Sequence, residues 1–180
     1  MARLPLPVRD DLPEGDRALF ERLEQSRGKP TGYIWRALAN APNLCDRILS
    51  LADELRHGTS LEKRFRELAV LMVGMVTKCD YEFDHHWNAA LKAGLPREQL
   101  AAIADFETSP LFDDRERAVL HYAKETTQSG DVTDATWNAI RGFLDDRQAA
   151  ELVVTVAWYN LVVRVLLPLR IENEPWFEKK

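Results

Sequence analysis

Apolar residues recur at helical spacing along nearly the whole chain, and this periodicity limits the possible folds more than any other feature. The eight glycines and nine prolines are sparse and lie mostly between the periodic segments, where such residues end helices or form turns. No segment alternates apolar and polar residues convincingly in the manner of a strand. The sequence therefore predicts an all-α protein.

Capping residues mark several helix boundaries. Ser60 is expected to cap a helix that runs to Lys78, and Gly94 is expected to end the helix that follows Cys79. Asp113 with Glu116 has the pattern of a capping box. A length of 180 residues suits one structural domain, in which we predict an N-terminal helical section over 1–60, a helical core over 61–167 and an extended tail over 168–180.

The charge and the apolar runs exclude several classes of partner. A net charge of −5 and a pI near 5.4 argue against binding to nucleic acid or to an anionic membrane by bulk electrostatics. The longest charge-free apolar runs, 68–77 and 152–163, are shorter than the roughly 18 residues of a membrane span. The N-terminus lacks the apolar region of a secretory signal, and two cysteines make no disulfide framework. We therefore expect a cytoplasmic protein.

Two predicted helices, around 68–76 and 152–163, are apolar on almost every face. A helix of this kind must be covered on all sides. Covering two of them in one small domain is easier when subunits share a core. We therefore expect a homo-oligomer with cyclic symmetry.

The segment from Thr77 to Gly94 carries the candidate active-site residues. At about 100° per residue, Cys79, Glu82 and His86 fall within about 60° of one another on the apolar face of the helix, whereas His85 points about 120° away. A thiol, a carboxyl group and an imidazole are costly to bury unless they satisfy one another. Their joint placement on one inward face indicates a functional cluster.

A second carboxyl group is expected to join this cluster from the preceding helix. Glu67 lies in the apolar helix, and Gly74, seven residues later on the same face, allows a neighbouring helix to approach closely. Burial would raise the pKa of Glu67, and pairing would lower it. Two carboxyl groups, an imidazole and a thiol around a dry pocket suit general acid–base chemistry.

Two other patterns leave alternatives open. Glu54 with His57, and Glu82 with His85, have the i, i+3 spacing of di-iron carboxylate bundles, although His85 is expected to point outward. In the last helix, Arg164 stands next to an apolar run, so a buried carboxylate partner is expected, with Glu67 and Glu82 as candidates. A simple structural ion pair is the alternative. The leading interpretation remains a site without a metal or a cofactor.

Glu67, Cys79, Glu82 and His86 follow one another with eleven, two and three residues between them. This spacing resembles the signature of the carboxymuconolactone decarboxylase and alkylhydroperoxidase D superfamily. The segments RELAVL, CDYEFDHH and ALKAGLPREQLAAI look like its core block. The resemblance is clear over 61–103 and extends in the family's manner over 113–164.

The resemblance implies an alkylhydroperoxidase D-like helical bundle that assembles as a trimer or hexamer, with a pocket for a small molecule near subunit contacts. The hydroperoxidase branch has a second cysteine where this chain has Glu82, whereas Tyr81, Glu82 and His86 resemble the decarboxylase branch. Glu82 and His86 would then transfer protons on a carboxylated lactone or carbonyl compound, with Glu67 orienting His86. A thiol-dependent alkylhydroperoxidase using Cys79 and a non-catalytic family member are the alternatives.

Overall fold

The structure is a computed structural model that describes residues 1–180. It contains no strand, and this confirms the all-α prediction. Short helical turns accompany nine α-helices: α1 (Ala18–Arg27), α2 (Tyr33–Leu38), α3 (Pro42–Asp53), α4 (Lys63–Thr77), α5 (Asp80–Lys92), α6 (Arg97–Ala101), α7 (Asp114–Ser129), α8 (Asp134–Arg141) and α9 (Asp146–Leu169).

The chain forms two compact units. The first unit comprises Met1–Thr59 and Val165–Phe177. Its core cluster is apolar and includes one cysteine: Leu12, Leu19, Phe20, Leu23, Ala39, Cys45 and Leu49. The backbone N–H of Tyr33 donates to Glu174 at 2.6 Å and so joins the two segments of this unit.

The second unit comprises Ser60–Arg164 and Glu178–Lys180. Its centre is α4, which packs against α5 and α7, and every residue from 65 to 74 of this helix is buried. Gly74 is a point of close approach between α4 and α5, because a Cβ atom there would lie 3.1 Å from the backbone nitrogen of Phe83. The close approach predicted from this glycine is confirmed.

Most of the predicted helix caps are present, with one exception. Asp113 and Glu116 form the expected capping box, and Gly94 follows α5 with a φ of 90°. Ser60 does not cap α4, which begins at Lys63 without a side-chain cap. The backbone N–H and the hydroxyl of Ser60 instead donate to Glu151 at 2.8 and 2.9 Å, and this distant acceptor explains why the local prediction was wrong.

The last helix is less covered than its sequence suggested. Val153, Val154 and Leu161 are exposed, so α9 is not enclosed on all sides within the single chain. It is also long and apolar enough to cross a membrane by length and composition, which corrects the expectation that no segment reaches that length. Helices in the interior of globular folds can have the same length and composition.

Candidate active site

A tight turn between α4 and α5 sets the position of the candidate site. Lys78 has a left-handed conformation with a φ of 55°, which ends α4 and reverses the chain within two residues. The backbone N–H of Cys79 then donates to the carbonyl of Gly74 at 2.9 Å, and Cys79 is the N-cap residue of α5. Glu82 and His86 follow one turn apart on the buried side of this helix.

An ion-pair chain runs from α4 into α5. Nδ1 of His86 lies 2.6 Å from Oε2 of Glu67, and Nε2 of His86 lies 3.1 Å from Oε1 of Glu82. All three side chains are buried. The second contact lacks hydrogen-bond geometry, so Oε1 of Glu82 is a buried acceptor without a hydrogen-bond partner. Such an atom is costly in a folded chain and is typical of functional sites.

Arg66 and Tyr159 complete the surroundings of this chain. Nε and Nη2 of Arg66 both donate to Oε1 of Glu67 at 3.0 Å, a charge-assisted arrangement that holds the carboxylate in one orientation. The ring of Tyr159 contacts the imidazole of His86 edge to face, with centroids 4.8 Å apart. Arg66 therefore orients the carboxylate of Glu67, and Tyr159 packs against the imidazole of His86.

The electrostatics of the cluster favour a charged histidine. Burial opposes the ionisation of Glu67 and of His86, but the attraction between their opposite charges outweighs it. The pKa of Glu67 is lowered, because His86 and Arg66 stabilise its negative charge. The pKa of His86 is raised to about 9 by Glu67 and Glu82. At neutral pH the cluster therefore contains an imidazolium that carries a proton on each ring nitrogen.

Cys79, unlike His86, is uncharged at neutral pH. Burial raises the pKa of its thiol to about 11, although the backbone N–H groups of Glu82 and Tyr81 favour the thiolate. The second cysteine, Cys45, is buried in the first unit, where burial raises the pKa of its thiol to about 12. Both cysteines are free, and both are thiols at neutral pH.

The structure brings Glu67, Glu82 and His86 into direct contact and places Cys79 at the start of the same helix, as the sequence predicted. His85 lies on another side of α5, where its ring stacks on Tyr81 with centroids 4.3 Å apart. The two adjacent histidines are thus inequivalent, as the helical spacing indicated. Their catalytic roles remain predictions.

The structure corrects one expectation about a charged residue and adds another charged residue to the site. Arg164 is exposed and donates to the carbonyl oxygen and to Oδ1 of Asn160, at 2.8 and 2.7 Å, so the expected pairing with Glu67 or Glu82 is wrong. Arg66 is buried and paired with Glu67, so it is part of the site. No group of three or more histidine, cysteine, aspartate and glutamate side chains is arranged to hold a metal ion.

Comparisons with known proteins define the class of this fold. The debrominase Bmp8, as a cysteine-to-alanine variant in complex with 2,3,4-tribromopyrrole, matches with a TM-score of 0.81 at 16% identity over 97% of this chain and 95% of the other. An uncharacterized peroxidase-related protein from Silicibacter sp. TM1040 matches with a TM-score of 0.81 at 21% identity over 97% and 92%. An alkylhydroperoxidase D core protein from Ralstonia eutropha JMP134, also peroxidase-related and uncharacterized, matches with a TM-score of 0.81 at 20% identity over 97% and 93%.

These likenesses establish an alkylhydroperoxidase D-like fold. The model of the carboxymuconolactone decarboxylase family matches residues 42–125, a range that contains Glu67, Cys79, Glu82 and His86. This match confirms the resemblance of the segment to the carboxymuconolactone decarboxylase family that its motif indicated. The comparison with curated proteins gave no match.

Proposed function

We propose that the chain is a cofactor-independent enzyme that transfers protons on a small carboxylated lactone or carbonyl compound. The observation that carries this proposal is the buried contact of His86 with two carboxyl groups, one of which keeps an oxygen without a hydrogen-bond partner. An acid and an acceptor held together in a dry site are the components that proton transfer requires.

The two protons of the imidazolium are not equivalent. The proton on Nδ1 points to Oε2 of Glu67 at 2.6 Å, and Arg66 fixes that carboxylate. The proton on Nε2 faces Oε1 of Glu82 without a well-aligned hydrogen bond. We therefore assign the Nε2 proton to catalysis and assign Glu67 to the positioning and charging of the ring.

For a carboxylated lactone, the reaction can be written with these groups alone. The bond between the ring carbon and the carboxylate breaks, carbon dioxide leaves, and the electron pair moves into the conjugated carbonyl to give an enolate. The imidazolium of His86 stabilises the negative oxygen and gives its Nε2 proton to the carbon atom. A proton from solvent, passed through Glu82, restores the imidazolium.

The test is turnover of carboxylated lactones by purified variants. His86→Ala and Glu82→Gln should each lose turnover by at least about a hundredfold, the range typical of acid–base groups. His85→Ala is the matched control, since it removes the neighbouring imidazole outside the ion-pair chain and should leave turnover unchanged. Full activity of both His86→Ala and Glu82→Gln would refute the assignment. No turnover by the wild-type chain would instead favour a non-catalytic family member.

A thiol-dependent alkylhydroperoxidase is the second candidate function. It is favoured by the position of Cys79 at the N-terminus of α5, where the backbone N–H groups of Glu82 and Tyr81 stabilise a thiolate. The structural relatives include peroxidase-related proteins and a debrominase crystallised as a cysteine variant. The raised thiol pKa and the absence of a second motif cysteine make it the weaker candidate.

Cys79→Ser separates the two functions. In a thiol peroxidase this variant should no longer consume an organic hydroperoxide in the presence of a thiol reductant, because the nucleophile is lost. In a proton-transfer enzyme it should keep most of its turnover of carboxylated lactones. Assaying wild type and variant with both substrate classes gives a distinct pattern for each function.

We also propose that α9 is covered by other copies of the chain in a trimer or hexamer. Val153, Val154 and Leu161 are exposed on this helix, beside a cavity of about 420 Å³ between α7 and α9. Light scattering coupled to size-exclusion chromatography should give an oligomer for the wild type and a smaller species for Leu161→Glu. A wild-type monomer at micromolar concentration would contradict the proposal.

A further inference from the structure

The side of α5 away from the ion-pair chain carries a second cluster of side chains. Asp84 and Asn88 each lie two residues after a site residue, Glu82 or His86, and two residues correspond to about 200° around a helix. Phe83 and Trp87 lie beside them, and their rings contact each other with centroids 6.0 Å apart. Residues 178–180 lie on this surface, which we call the outer face of α5.

Lys179 is held by three groups of the outer face. Its Nζ atom lies 2.6 Å from Oδ1 of Asp84. The same atom lies 5.0 Å from the ring centroid of Phe83 and 4.9 Å from that of Trp87. A carboxylate and two aromatic faces around one ammonium group form a cation site, because each of the three groups favours a positive charge.

The backbone on both sides of Lys179 is also recognised. Nδ2 of Asn88 donates to the carbonyl of Glu178 at 2.8 Å, and Oδ1 of Asn88 accepts from the N–H of Lys180 at 2.8 Å. Nε1 of Trp87 donates to the carbonyl oxygen of Lys180 at 2.8 Å. In peptide recognition, hydrogen bonds to the backbone give affinity, and a neighbouring pocket for a side chain gives specificity. Asn88 supplies the first of these and the Lys179 site supplies the second.

We infer that the outer face of α5 is a recognition site for an extended peptide segment that carries a lysine, and that residues 178–180 are its intramolecular occupant. The ligand class is defined by the contacts: one ammonium side chain between Phe83, Trp87 and Asp84, flanked by two peptide groups. A lysine-bearing segment of another chain would compete for the same surface. This site uses no atom of the proposed reaction.

Two lysines in the segment provide a matched pair for testing. Lys179 contributes its ammonium group, whereas Lys180 contributes its backbone N–H and carbonyl groups. The reporter is the indole N–H of Trp87 in the full chain labelled with ¹⁵N-tryptophan, assigned among the five tryptophans by Trp87→Phe. Lys179→Ala should speed its hydrogen exchange about tenfold, and Lys180→Ala should leave the rate unchanged. Equal rates for all three proteins, or equal acceleration by both substitutions, would overturn the inference.

Recognition of a separate peptide is tested on the Lys179→Ala chain. A peptide of residues 176–180 at about ten millimolar exceeds the effective concentration of a weakened tethered segment. It should restore slow exchange of the Trp87 indole, and the same peptide with alanine in place of Lys179 should not. Restoration by both peptides or by neither would refute specific recognition of the lysine.

Discussion

Replacing Glu67 by glutamine tests the charge state of the candidate site most directly. The amide keeps the volume of the side chain and removes the charge that contributes most to the raised pKa of His86. That pKa is about 9 in the folded chain against an ordinary value of 6.5. Since one pKa unit corresponds to about 1.4 kcal/mol, protonated His86 stabilises the wild-type fold by about 3 kcal/mol.

The sign of the pH dependence follows from the direction of the shift. A raised pKa in the folded chain means that the stabilisation is fully present below about pH 6.5 and is lost as the pH rises through about 9. In Glu67→Gln the pKa of His86 should fall towards or below its ordinary value, because burial then opposes the charge with less compensation. The loss of stability over this range should shrink to below about 1 kcal/mol.

The assay is urea unfolding followed by circular dichroism at about pH 6.5, 8 and 9.5, at one protein concentration because oligomerisation would shift the midpoints. Titration of the His86 ring by NMR, assigned among the four histidines, gives the pKa independently. His85→Asn is the control and should keep the wild-type pH dependence. If wild type and Glu67→Gln lose equal stability over this range, the ion-pair reasoning is wrong.

Three further predictions follow from other contacts. Native Cys79 should react with iodoacetamide at pH 8 about a hundredfold more slowly than the same cysteine in urea, because burial raises its pKa to about 11 from 9. Labelling is followed by mass spectrometry, and equally fast labelling of the native protein would contradict this. Gly74→Ala should cost about 1–3 kcal/mol of unfolding free energy, since its Cβ would lie 3.1 Å from the backbone of Phe83, whereas Gly15→Ala, with nothing within 4 Å, should change little. Glu116→Ala should cost about 2–4 kcal/mol, because Arg64 and Gln99 lose a buried acceptor and α7 loses its capping box; an unchanged urea midpoint would refute this.

Local rules predicted much of the fold and the core of the site. Helical spacing alone placed Cys79, Glu82 and His86 on one side of α5 and His85 on another. Gly74 indicated that a neighbouring helix approaches closely, because only a residue without a Cβ leaves that space, and the structure shows that this helix is α5. Features of this kind depend on residues within about two turns of one another, and such relations are visible in a sequence.

Predictions failed where residues distant in sequence, or a closer local partner, decided the outcome. Ser60 is a residue type favoured at N-caps, but its hydroxyl group donates a hydrogen bond to Glu151, 91 residues later. Arg164 was expected to reach a buried acid, but Asn160, one turn earlier in α9, offers two acceptors at lower cost. The contact of Tyr159 with His86 joins residues far apart in the sequence, and such a contact has no local signature.

The close contact at Gly74 has a further consequence for how the protein can evolve and act. Glu67 and His86 come from two helices that touch backbone to backbone, so the proton-carrying cluster cannot loosen without opening the centre of the second unit. For the reaction proposed above, substrate choice must then be set by residues outside the cluster, because Glu67 and His86 are buried and held by direct contacts. Loss of activity on heating should accordingly coincide with global unfolding and should not precede it.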